Sequence, residues 1–67
     1  MEKRSLTLAG HRTSVALEPE FWQAMEQIAD HRGQTLAALI LEIDGQREAA
    51  NLASAIRIYV LRQLRGE

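Results

Sequence analysis

The chain contains no cysteine. That excludes disulfides and thiolate metal ligands, and it fits a reducing compartment such as the cytoplasm. Its only imidazoles, His11 and His31, lie far apart with no thiolate to complete a tetrahedral set, which excludes a structural zinc site. The longest uncharged run, residues 33–41, is far below the ~20 residues a membrane span needs. The charged residues 1–4 are followed by an apolar stretch too short for a signal peptide. Repeats and low-complexity segments are absent, and a single proline, Pro19, interrupts the chain. What remains is a 67-residue chain, 46% apolar, with a formal net charge of −1. A core of that size rarely supplies more than ~3–5 kcal/mol alone. With disulfides and metals excluded, oligomerisation is the remaining staple, and the apolar surplus is what a dimer core would absorb.

The charge is unevenly placed. Residues 1–17 hold Lys3, Arg4 and Arg12 against Glu2, a balance of +2. Residues 18–67 hold five arginines against eight carboxylates, a balance of −3. A basic N-terminal arm thus precedes an acidic body, an asymmetry that suggests an interaction arm.

Residues 1–4 read as a frayed tail. Alternation begins at Ser5-Leu6-Thr7-Leu8, breaks at Ala9-Gly10, and resumes at Arg12-Thr13-Ser14-Val15-Ala16-Leu17. Period two with β-branched residues is the strand signal. Gly10 is either a hairpin turn or a bulge, and the favoured reading is one core strand over 12–17 with 5–8 as an extension. Glu18-Pro19-Glu20 ends the strand and opens a helix running to about His31, since Pro19 is preorganised for a first turn and Glu20 complements the dipole. Phe21, Trp22, Met25, Ile28 and Ala29 form its apolar face. Gly33 reads as a left-handed C-cap and Thr35 as the next N-cap. The following run, Leu36-Ala37-Ala38-Leu39-Ile40-Leu41-Glu42-Ile43, is apolar nearly all round, so it belongs mid-core, where a second chain would surround it. Asp44-Gly45 is expected to stop it. After a polar connector at 45–50, a third helix starts near Asn51 and carries Leu52, Ile56, Tyr59 and Val60 on one face.

One short strand, a helix, a Gly-x-Thr turn and a very apolar second helix resemble the ribbon-helix-helix family. The residues that carry this are Arg12-Thr13-Ser14-Val15-Ala16-Leu17-Glu18, Phe21-Trp22-x-x-Met25-x-x-Ile28-Ala29 and Gly33-Gln34-Thr35-Leu36-x-x-Leu39-Ile40. His11 through Trp22, with the tail Asn51-Leu52-Ala53-Ser54-Ala55-Ile56-Arg57, looks like a small bacterial branch with an extra C-terminal helix. The resemblance implies a mainly α fold. One short strand would pair across an intertwined homodimer, in a single domain with arm 1–10, core 11–44, connector 45–50 and C-terminal helix 51–65. It implies a dimer core of Val15, Leu17, Trp22, Met25, Ile28, Leu36, Leu39, Ile40, Ile43, Ile56, Tyr59 and Val60. The antiparallel ribbon would enter the major groove of double-stranded DNA. Arg12, Ser14 and Ala16 would then face the bases, with Arg12 able to read guanine bidentately and Ala16 limited to a methyl contact. Family members often place a polar side chain at the last position. Thr35 and Leu36, at a helix N-terminus, together with Lys3, Arg4 and His11, would meet phosphates.

The function expected is a dimeric, sequence-specific, cytoplasmic regulator of transcription such as a repressor, with no cofactor. The alternative is a dimeric interaction module, including the antitoxin type, that binds a protein partner through its apolar C-terminal helix. Catalysis is not expected: Glu26, Asp30 and His31 share a helix without a nucleophile or an orienting group.

Overall fold

The computed structural model describes residues 1–48 and 50–67. The N-terminal arm is a strand in its own right: β1 (Glu2–Leu8) pairs antiparallel with β2 (His11–Leu17), in a register running from Glu2 opposite Leu17 to Leu8 opposite His11. This corrects the expectation of a single strand after a frayed tail. Ala9 and Gly10 alone make the turn, with φ of +51° and +83°. Two successive left-handed residues give a type I′ turn, whose twist matches the strands it joins. Gly10 adopts that backbone freely, whereas for Ala9 it costs ~1–2 kcal/mol.

The inner face of β1 explains why charged residues 2–4 are not a solvated tail. Glu2, Arg4, Leu6 and Leu8 face the helices. The Arg4 guanidinium lies 4.6 Å from the centre of the Trp22 ring and pairs with Glu2 and, at 2.8 Å, with Glu26. The Trp22 indole Nε1 donates to the Glu2 carbonyl at 2.8 Å. Trp22 lies on α1 (Pro19–His31), whose buried face is Trp22, Met25 and Ala29. Gly33, at φ +67°, closes that helix: its N–H donates to the Asp30 carbonyl and that of Gln34 to the Ala29 carbonyl, the paired bonds of a Schellman cap.

Helix α2 (Leu36–Gln46) begins where Thr35 Oγ1 accepts from the Ala38 amide at 3.1 Å. It runs through Gly45 rather than stopping there. One helical glycine costs only ~1 kcal/mol, and the Asp44–Arg47 ion pair at 3.0 Å spans that last turn. Helix α3 (Leu52–Leu64) is capped by Asn51 Oδ1, which accepts from the Ser54 amide. Part of the expected connector, Ala49, lies outside the described residues.

The hairpin packs on the helices with α2 against β1 and α3 against β2. This arrangement closes the core inside the single chain. Of the positions expected in a dimer core, Ile28, Leu36 and Tyr59 are half-buried and the others are fully buried within the single chain. Strand β1 and helix α3 take the place that a second chain was expected to fill around α2, leaving Leu41 outermost. The radius of gyration, 11.1 Å, is what a closed domain of this length has (about 11 Å).

A Cβ added at Gly10 or Gly33 would meet nothing within 4 Å, so the cost of alanine there is conformational alone. Gly33→Ala and Gly10→Ala should each lower stability by about 1 kcal/mol. Ala9→Asn should raise it by a similar amount, because asparagine tolerates the left-handed region. Denaturant midpoints at fixed protein concentration check this, and a destabilising Ala9→Asn would contradict the turn.

Candidate nucleic-acid interface

A strand sends alternate side chains to opposite faces, and paired residues share a face. The hairpin register therefore places Lys3 beside Ala16, Ser5 beside Ser14 and Thr7 beside Arg12 on the side away from the helices. All are exposed except the half-buried Ala16. This outer face carries two cations, three hydroxyls and a methyl, and no carboxylate.

Electrostatics set this face apart. Arg4, Arg32, Arg47, Arg57 and Arg65 are each held by a carboxylate. Among the described residues, Lys3, Arg12 and Arg62 have no such partner, and of these Arg62 lies in the last turn of α3 while Lys3 and Arg12 share the outer face of the hairpin. Glu18, at the end of β2, is turned elsewhere: its own backbone amide and then Arg57, 3.0 Å away, hold its carboxyl below the usual range. Arg57 also lies 5.9 Å over the ring of Phe21.

The residues proposed from the sequence fall in four places. Arg12, Ser14, Ala16 and Lys3 come together on the outer face. His11 is exposed at the turn end of the hairpin, on the face opposite to them by alternation. Arg4 points inward, against Trp22 and its two carboxylates, which raise its already high pKa. Thr35 is exposed with its hydroxyl occupied as the α2 cap, and Leu36 follows half-buried in the first turn, where backbone amides lack intrahelical partners. Sequence reasoning missed Ser5 and Thr7. Their signal was their spacing about Ala9-Gly10, which becomes readable once that pair is a two-residue turn.

A second polar cluster joins all three helices. Arg32 donates to Tyr59 Oη at 2.6 Å and to Glu42 at 3.2 Å, and Gln34 Nε2 donates to Glu42 at 2.8 Å. The Gln34 amide, then Arg32, keep the Glu42 carboxyl below the usual range. The cluster buttresses the turn between α1 and α2 and contains no activated nucleophile. Among the described residues, no group of three His, Asp or Glu side chains could hold a metal, and no helix is long and apolar enough to cross a membrane.

A two-stranded ribbon followed by two helices and a further C-terminal helix is the ribbon-helix-helix fold with one added element. The family model described as a ribbon-helix-helix domain matches residues 1–64, and the chain belongs to that family. Its members are generally DNA-binding transcription regulators or antitoxins, typically dimeric and non-enzymatic. No curated protein and no solved structure matches the chain.

The two faces of β1 should separate in stability. Arg4→Gln removes a cation–π contact and two part-exposed ion pairs, for an expected loss of about 1 kcal/mol. Lys3→Gln and Arg12→Gln should leave stability within about 0.5 kcal/mol of the parent. Urea unfolding followed by Trp22 fluorescence reads both, and equal losses for Lys3 and Arg4 would refute the assignment of faces.

Proposed function

We propose that the chain is a dimeric, sequence-specific DNA-binding regulator of transcription that lays the outer face of its ribbon in the major groove. The observation that carries this is the pair of uncommitted cations, Lys3 and Arg12, on a hydroxyl-rich face free of carboxylates. Phosphates attract such a face, and Arg12 supplies the bidentate fork that recognises guanine. Ser14 donates to or accepts from a base edge, and Ala16 offers a methyl contact. Lys3, Thr35 and the first amides of α2 meet phosphates, and His11 contributes from the ribbon end. Arg4, held inward, serves the fold instead.

The same ribbon supports dimerisation. Strand β2 has β1 on one side only. An open groove runs beside its other side, with Arg47, Asn51, Ser54 and Arg57 on the far wall. Antiparallel pairing of two β2 edges would satisfy their backbone groups about a two-fold axis and present Arg12 twice.

A second reading has its own observation: Ile58, Leu61 and Leu64 of α3 are 43%, 51% and 79% exposed. They form an apolar ridge suited to a protein partner, as an interaction module or antitoxin would require.

Selection from a random DNA pool at moderate salt separates the two. The regulator yields an enriched inverted or direct repeat, with affinity that falls steeply as salt rises. Arg12→Ala then costs ~1–3 kcal/mol per contact and relaxes the motif at paired positions. No enrichment would overturn this reading. Binding to a protein partner that is lost in Leu61→Asp or Leu64→Asp, with folding intact, would favour the second.

A further inference from the structure

We propose that β1 forms a second row of DNA contacts, in which Lys3, Ser5 and Thr7 hold the phosphates along the walls of the groove whose bases β2 reads. This rests on the DNA-binding dimer proposed above.

The width of the sheet leads to this division. Neighbouring strands lie ~4.8 Å apart. If two β2 strands pair at the centre, each lies ~2.4 Å from the two-fold axis and each β1 ~7.2 Å from it. The major groove is ~12 Å wide, so its walls begin ~6 Å from the same axis. The β2 rows therefore fall inside the groove and the β1 rows over its phosphate walls.

The side chains are sorted the same way. The bidentate base reader of the face, Arg12, is on β2. Strand β1 presents an ammonium, which acts as a point charge, and two hydroxyls, which donate to a phosphate oxygen without selecting a base. The three stand at alternate positions, ~6.8 Å apart along the strand, and all are exposed. Among the described residues, no other strand pairs with the outer edge of β1.

The test compares the full chain with Lys3→Gln and with the double variant Ser5→Ala, Thr7→Val, at matched folded fraction. The selected DNA motif should be the same for all three proteins. Affinity in both variants should fall by one common factor on the selected duplex and on a scrambled one. Lys3→Gln removes one phosphate contact per protomer, so the slope of log K against log salt should shrink by ~2. A motif altered at discrete positions in either variant would show that β1 reads bases and overturn the proposal. Unchanged affinity and slope in both variants would overturn it too, while leaving the DNA-binding reading intact. If the parent chain selects no motif and shows no salt-dependent binding, the underlying reading fails, and this proposal with it.

Discussion

The indole of Trp22 is where the first strand of the chain is fastened to its first helix. The ring is fully buried, its N–H reaches the Glu2 carbonyl, and the Arg4 guanidinium covers its outer face. A buried indole N–H needs an acceptor, and a backbone carbonyl twenty residues away supplies it. The consequence extends beyond stability. A strand has period two, so holding Glu2 and Arg4 inward forces Lys3, Ser5 and Thr7 outward. Through the hairpin register the same constraint sets Arg12, Ser14 and Ala16 beside them. Two adjacent cations, Lys3 and Arg4, thereby receive opposite duties: one is neutralised within the fold and the other is left available at the surface.

The core shows how a 67-residue chain accommodates an almost wholly apolar helix. Strand β1 and helices α1 and α3 contact α2, burying Leu39, Ile40 and Ile43 while Leu41 stays 42% exposed. The α1–α2–α3 cluster of Arg32, Gln34, Glu42 and Tyr59 then ties the helices together at the surface. Because the chain closes its own core, the proposed dimer depends on the backbone edge of β2 rather than on the apolar faces of α2. Apolar surface in need of cover is left mainly on α3, outside the ribbon.

What was legible in the sequence was local. Pro19, Gly33, Thr35 and Asn51 mark helix ends through caps that involve neighbouring residues, and each functions as its type suggests. The outward row of β2 was legible because alternation needs no partner. The hairpin was not. Ala9-Gly10 lacks the Asn-Gly or Asp-Gly signature of a type I′ turn, and charged residues facing inward look like a tail until Trp22 and Glu26 are placed beside them. Ser5 and Thr7 were missed for the same reason, since their membership of the face depends on a register that only the turn defines. The continuation of α2 through Gly45 reflects a small propensity cost set against an ion pair one turn long.

Amide hydrogen exchange along β1 tests most directly whether this strand is part of the folded unit. Between Glu2 and Leu8, the amides that bond to β2 should alternate with those that face outward. The bonded set should exchange only as slowly as the core amides of α1, through the same cooperative opening. Exchange throughout residues 2–8 at the rate of an unstructured peptide, while α1 stays protected, would mean that the N-terminus is a loose arm. The outward row of Lys3, Ser5 and Thr7 would then have no fixed place.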